Sequence, residues 1–199
     1  MTVAADRSVR RIVVGISGAS GAIYGIRILE ALRAAEGVET HAVISAGAKA
    51  TIAYETAYAY ERVVALADHA YDEHDLAAAI ASGTFLTDGM IVAPCSVRTL
   101  SSIAHSLSDN LIVRAADVHL KERRPLVLLV RETPLHAGHL EAMRDLSLRG
   151  ATILPPVPGF YALPKTIDDI VAHSVGKALD QLRIAHDLFP RWEGIRRDE

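Results

Sequence analysis

The chain alternates short, almost wholly apolar runs with longer stretches that have the periodicity of amphipathic helices. Five apolar runs are predicted as strands, at 11–17, 38–45, 89–95, 125–130 and 151–154. Because several lack the polar alternation of a strand with one face in water, they indicate parallel strands covered on both faces. Seven helices are predicted near 21–36, 46–55, 74–82, 96–106, 110–122, 136–149 and 166–187. This order predicts a doubly wound α/β fold with a parallel sheet.

Length and composition limit the class of protein. A chain of 199 residues, half of them hydrophobic, can bury one sizeable core, so we expect a single domain over 1–199 with its core at about 11–187 and a tail at 188–199. A net charge of −3 and only 5% aromatic residues disfavour nucleic acid as a partner. The chain shows no secretory signal and no apolar run long enough for a bilayer, which predicts a cytoplasmic protein without membrane contact.

The segment GISGASGAIYG, at 15–25, joins the first predicted strand to the first predicted helix. Backbone N–H groups at a glycine-rich helix start can bind a phosphate. A Walker A loop would need a lysine after the glycines, and a dinucleotide loop would need an acid after the second strand, where this chain has Ser45. The loop therefore favours a mononucleotide phosphate over NAD, the alternative being a tight strand–helix turn without a ligand.

Polar side chains follow four of the predicted strands. They are Ser17 and Ser20, then Ser45, then Ser96, Arg98 and Thr99, and finally Arg131 and Glu132. Ligands of an open parallel sheet bind beyond the carboxyl ends of its strands, so these residues are expected to converge on one crevice. Serines also cap helices, so no single one of these residues identifies a ligand site. Together they predict a phosphate-bearing ligand.

The segment DNLIVRAADVHLKERR, at 109–124, places Arg114, Asp117 and Lys121 on one face of a helix. Either this face is a solvated stripe with an internal ion pair, or it binds a second anionic group. The lone cysteine, Cys95, is expected to be a small buried residue. His136 and His139 make a poor metal site without a third ligand, so no metal is predicted.

Four segments together resemble the flavin prenyltransferases of the UbiX family, some of which are encoded beside phenolic-acid decarboxylases. In chain order they are GISGASGAIYG, APCSVRTL, DNLIVRAADVHLKERRPLVLLVRETPL and PPVPGFY. The resemblance runs from about Arg11 to the C-terminal helix. It implies a flavodoxin-like (Rossmann-like) three-layer fold and an enzyme that joins a dimethylallyl group, from dimethylallyl monophosphate, to N5 and C6 of reduced FMN. The product, prenylated FMN, would serve a UbiD-type decarboxylase. The family further implies a metal-independent homo-dodecamer with its sites at subunit contacts.

The same resemblance implies roles for individual residues. Those expected to hold FMN are Gly18, Ala19, Ser20, Ser45, Ser96, Val97, Arg98, Thr99 and Arg131. Those expected at the prenyl phosphate are Lys121, Tyr161 and Lys177, with Arg114 nearby. Ser20, Glu55 and Glu132 would handle protons, and Lys121 would act with them in catalysis. Two positions depart from the family pattern, because Lys177 replaces the usual arginine and Thr84 the commoner serine. Lysine keeps the charge but not the bidentate fork of arginine.

Two other functions fit parts of the sequence. An FMN-dependent decarboxylase of the phosphopantothenoylcysteine type would share the fold, but its catalytic histidine and PXMNXXMW loop are not visible. A non-catalytic FMN-binding subunit of an aromatic-acid decarboxylase would keep the flavin residues alone. The presence of Glu132, Lys121 and Tyr161 in one chain speaks against that alternative.

Overall fold

The structure, a computed structural model, describes residues 9–194. Its centre is a six-stranded, all-parallel sheet with the order β3-β2-β1-β4-β5-β6. The strands are β1 Arg10–Ile16, β2 Val38–Ile44, β3 His69–Tyr71, β4 Gly89–Cys95, β5 Leu126–Val130 and β6 Thr152–Ile153. The chain first builds one half of the sheet outward from β1 and then, from β4, the other half. The order therefore reverses between β1 and β4, where such folds bind ligands.

Helices cover both faces of this sheet. Within residues 9–194 they are α1 Ala22–Ala34, α2 Ala46–Glu55, α3 Tyr60–Val64, α4 Val97–Ala104, α5 Leu111–Lys121, α6 Ala137–Leu148 and α7 Ile167–Gln181. The doubly wound α/β fold predicted from the sequence is confirmed. No helix of the described chain is both long and apolar enough to span a bilayer.

The central strands are buried on both sides, as their continuous apolar runs predict. Along β1, Ile12 and Val14 pack with α1 and α7, whereas Val13 belongs to the cluster formed with α4 and α5. Gly25 lies where α1 crosses the sheet, and a Cβ there would be 2.3 Å from the carbonyl oxygen of Ala93. The small residues of α1 therefore permit close packing against β4, which fixes the position of the preceding glycine loop.

The helix predicted at 74–82 is wrong. Only Ala79–Ala81 form a single 3-10 turn, and the residues before it form turns. The reason is local, because Asp72 and Asp75 accept hydrogen bonds from the N–H groups of His74 and Ala77 two residues further on. The short elements α3 and β3 were not predicted, since five and three residues carry too little periodicity.

The C-terminal helix ends earlier than predicted, at Gln181. The chain then turns through Arg183, whose φ is 54°, and runs back along α7. Arg191 donates to both carboxylate oxygens of Asp180, at 2.6 and 2.8 Å. The tail predicted at 188–199 therefore contacts α7 through Arg191, and its last five residues lie outside the described part of the chain.

Candidate functional site at the switch point of the sheet

A cavity of about 390 Å³ opens at the carboxyl ends of β1, β2, β4 and β5. Eight of the nine residues expected to hold a flavin line it: Gly18, Ala19, Ser45, Ser96, Val97, Arg98, Thr99 and Arg131. The structure brings these residues together from segments that are far apart in the chain, although their roles stay predictions. Glu73, Ser102 and Asn110 also line the cavity and had no predicted role.

Three helices begin at the wall of this cavity. Ser45, Ser96 and Asn110 are the N-cap residues of α2, α4 and α5, and each side-chain oxygen accepts a backbone N–H of its own helix, at 3.1, 3.2 and 3.0 Å. A helix start carries partial positive charge and leaves its first N–H groups without intrahelical partners. Together with Arg98 and Arg131, these helix starts make the cavity attractive to an anion.

Arg98 is held loosely enough to move onto a ligand. Its side chain is 83% exposed, and its nearest carboxylate oxygen, on Asp109, lies 3.5 Å away. Such a pair contributes little because solvent screens it. The guanidinium can therefore turn from Asp109 to a phosphate without a large loss of free energy.

The first N–H groups at the start of α1 are bonded to a side chain of the protein. One carboxylate oxygen of Glu55 accepts from the N–H groups of Gly21 and Ala22, at 2.7 and 3.3 Å. Gly21 adopts a φ of 94°, which a side chain would strain. The glycine loop therefore places its last N–H groups on Glu55. The anion-binding groups at the cavity belong mainly to α4 and to α2, where a carboxylate oxygen of Glu73 accepts from the first N–H, that of Ala46.

Ser17 ties the glycine loop to the start of α4. Its hydroxyl donates to the carbonyl of Pro94 and accepts from the N–H of Ser96, both at 2.8 Å, and the residue is buried. The sequence signal that could have identified it as a positioning residue is a serine directly after an apolar strand run. It fixes the distance between two walls of the cavity.

A second cavity, of about 630 Å³, adjoins the first and shares Arg131 and Glu132 with it. Ser20 and Tyr24 line it, and most of its wall is apolar, including Ile23, Leu135, Val157 and Ile167. Burial raises the pKa of Tyr24, and the nearby Arg131 partly offsets that effect. An apolar space beside an anion-binding cavity suits a ligand with a short hydrocarbon group, and Glu132 lies where the two meet.

The residues expected at the prenyl phosphate line neither cavity within the described chain. Lys121 is the last residue of α5 and pairs with Glu122. Since Asn110 at the other end of α5 reaches the first cavity, Lys121 lies about 15 Å further along the helix. Arg114 donates to the carbonyl of Ala81 at 3.0 Å and pairs with Asp117 at 3.1 Å. The internal ion pair considered for this helix is present.

Tyr161 and Lys177 lie together on the outer side of α7. The Tyr161 hydroxyl and His173 Nε2 are 3.0 Å apart, and Lys177 follows His173 by one helical turn. Burial, and then the charge of Lys177, lower the pKa of His173. One chain thus places the four predicted substrate residues in two groups, both outside the cavities.

One group of possible metal ligands occurs among residues 9–194, formed by Glu39, His41 and His69 at the β3 side of the sheet. The Glu39 carboxylate accepts from His41 at 2.9 Å and from Arg11 at 3.2 Å. The rings of His41 and His69 stack with an angle of 17° between their planes. Because Arg11 already balances the carboxylate, these residues form a hydrogen-bonded cluster away from both cavities.

Comparison with known proteins gives consistent results. Residues 2–179 match the protein family described as Flavoprotein. The chain is 56% identical over 187 residues to the flavin prenyltransferase UbiX of Salmonella typhimurium, covering 93% of this chain and 99% of that protein. The structure of AnUbiX (PadA1) in complex with FMN and dimethylallyl pyrophosphate superimposes with a TM-score of 0.92 at 50% identity, covering 94% of this chain and all of that one. A dodecameric, FMN-dependent UbiX-like decarboxylase from Escherichia coli O157:H7 gives a TM-score of 0.91 at 50% identity, covering 92% of this chain and all of that one.

Proposed function

The chain belongs to the UbiX family of flavin prenyltransferases, and on that premise we propose how its own residues carry out the reaction. The enzyme transfers a dimethylallyl group from dimethylallyl monophosphate to reduced FMN. The flavin supplies the nucleophilic N5 and C6 positions. The protein must hold two phosphate-bearing molecules next to each other, keep water out and take up a proton.

We assign roles to the residues mainly from the two adjoining cavities, which share Arg131 and Glu132. The first cavity fits FMN because it combines helix starts and Arg98 for the phosphate with small residues at Gly18 and Ala19. A Cβ on Gly18 would lie 2.9 Å from the Cα of Gly47, so the two loops meet closely there. We assign the phosphate end of FMN to the starts of α2 and α4.

The second cavity is assigned to the dimethylallyl group. Its apolar wall would shield the allylic carbon from water, and Arg131 would stabilise charge as the carbon–oxygen bond breaks. Holding both reactants in adjoining cavities would also remove much of the entropic cost of bringing them together.

The leaving phosphate needs more positive charge than Arg131, the cation that one chain supplies to the second cavity among its described residues. We propose that Lys121, Arg114, Tyr161 and Lys177 act at contacts between subunits of a homo-dodecamer. Two points support this: these residues line neither cavity of their own chain, and a relative of 50% identity is described as dodecameric. Their positive charge would stabilise the phosphate dianion as it leaves.

Bond formation at C6 releases a proton. Glu132 is proposed as the base because it lines both cavities and carries a carboxylate. Ser20 lines the second cavity, and the neighbouring Gly21 donates to Glu55, so we assign Ser20 and Glu55 to proton transfer on the other side. We further propose that the reaction takes place in the cytoplasm and that a UbiD-type decarboxylase receives the product.

Mass spectrometry of the flavin tests the function directly. The protein is incubated with reduced FMN and dimethylallyl monophosphate, and the extracted flavin is expected to gain one five-carbon prenyl unit. Omitting either dimethylallyl monophosphate or the reductant is the control. Tight FMN binding with an unchanged flavin mass would instead indicate a non-catalytic FMN-binding subunit.

A further inference from the structure

We propose that Glu73 is an internal competitor for the phosphate of FMN, and that it weakens flavin binding so that the product can leave. This inference rests on the function proposed above. One carboxylate oxygen of Glu73 accepts from the N–H of Ala46 at 2.6 Å, and Ala46 is the first residue of α2. The same glutamate lines the cavity assigned to FMN.

The backbone holds Glu73 in this position. Its carbonyl oxygen accepts from the N–H of Leu111 at 2.7 Å, at the first residue of α5. The segment between β3 and the 3-10 turn is therefore fastened at Glu73 to two of the helices that start at the cavity. The backbone of this segment therefore keeps the Glu73 side chain beside the start of α2, within reach of the N–H of Ala46.

The electrostatics make this carboxylate unusual for a phosphate site. The start of α2 has ten residues of aligned peptide dipoles behind it, and anions bind there favourably. Glu73 already supplies an anion to that position. A flavin phosphate must either displace the carboxylate from Ala46 or accept a like charge within a distance at which salt screens it only partly. In both cases Glu73 lowers the affinity for FMN and leaves the affinity for the uncharged part of the flavin almost unchanged.

Such a device would help a transferase whose product, as proposed above, must leave to serve another protein. Very tight binding of the flavin phosphate would retain the product, because phosphate contacts are the same before and after prenylation. When the phosphate leaves, the Glu73 carboxylate can cap Ala46 again, so the helix start is not left without an acceptor. The exchange of one anion for another thus lowers the free-energy cost of release.

The test compares FMN with riboflavin, which lacks the phosphate, on the assembled full-length protein. In Glu73→Gln the side chain keeps its shape and an acceptor for Ala46 but loses its charge. We expect FMN to bind about tenfold more tightly and to dissociate more slowly, with riboflavin affinity changed by less than about twofold. Asp72→Asn is the matched control, because it removes one charge from the neighbouring residue, whose carboxylate accepts from the N–H of His74 within its own turn.

Glu73→Ala is the second variant and should also favour FMN over riboflavin, even if it loses some stability. An unchanged ratio of FMN to riboflavin affinity in the folded Gln and Ala variants would overturn the inference alone. So would the same ratio change in Asp72→Asn, which would show an effect of net charge. If the unsubstituted protein does not bind FMN, the proposed function fails and this inference fails with it.

Discussion

Replacing Ser17 with alanine is expected to weaken both the fold and the flavin site. The Ser17 hydroxyl is buried and joins the end of β1 to the start of α4, through Pro94 on one side and Ser96 on the other. Alanine fits the same space but can neither donate nor accept a hydrogen bond. The substitution therefore removes two hydrogen bonds without creating a large cavity.

The magnitude follows from what each partner retains. The Pro94 carbonyl keeps a bond from the backbone N–H of Ser17, at 3.2 Å, so it loses only one of two donors, a net loss of about 1 kcal/mol. The Ser96 N–H loses its acceptor, and an unpaired N–H in a partly buried place costs about 1–3 kcal/mol. We expect the free energy of unfolding to fall by about 2–4 kcal/mol, or the Tm by about 4–16 °C for a protein of this size.

Urea denaturation followed by circular dichroism measures the stability, and quenching of flavin fluorescence measures the affinity for FMN. Ser147→Ala is the control because Ser147 is exposed on α6, and its loss should change stability by less than about 0.5 kcal/mol. The affinity for FMN should also fall, since Ser96 caps the helix that we assign to the phosphate. If Ser17→Ala matches the control in stability and binds FMN normally, Ser17 does not hold the two walls together.

Three further predictions concern the reaction and the pH dependence of stability. Glu132→Gln should keep FMN binding but slow ring closure, and an unchanged rate at saturating substrates would remove Glu132 from the mechanism. Lys177→Ala should weaken the binding of dimethylallyl phosphate and leave FMN binding unchanged. Lys177→Arg should bind dimethylallyl phosphate at least as well as the unsubstituted protein, with a gain of about 1 kcal/mol at most. Titrating each ligand separately checks this, and an unaltered affinity for dimethylallyl phosphate in Lys177→Ala would show that Lys177 faces solvent. Burial lowers the pKa of His119 to about 4, from an ordinary value of 6.5. As the pH falls, the unfolded chain therefore binds a proton at this histidine before the folded chain does, and the free energy of unfolding should be about 2 kcal/mol lower at pH 5 than at pH 7. His119→Gln should flatten that dependence in urea denaturation, and an equally steep fall would assign it to another group.

The elements that could be predicted are those whose burial is the same along their whole length. The runs that form β1 and β4 are apolar because helices cover both faces, and that pattern is visible without any tertiary information. The polar residues after these strands could then be assigned to one edge of the sheet, where the structure places them. The segment 74–82 could not, because its aspartates bond their own backbone and break the helix that its alanines favour.

Two carboxylates in the site depend on contacts that no local pattern contains. Glu55 bonds Gly21 from 34 positions away, and Glu73 bonds Ala46 from 27 positions away. Each lies next to a helix start only because the sheet brings neighbouring crossovers together. For Lys121 and Lys177 the reverse holds. Their roles were predicted from the family resemblance, but one chain does not bring them to the cavities.

The glycine loop has the sequence of a phosphate-binding turn, but its physical role in this structure is different. Its glycines and the helix after them are typical of a phosphate-binding turn, yet the structure gives the N–H groups of Gly21 and Ala22 to Glu55. Gly18 instead allows the loop to approach Gly47 closely. Close contact between the two loops brings the start of α2 to the same cavity as the start of α4. The loop therefore acts by positioning other anion-binding groups, and replacing Gly18 should impair FMN binding even though the helix behind the loop stays capped.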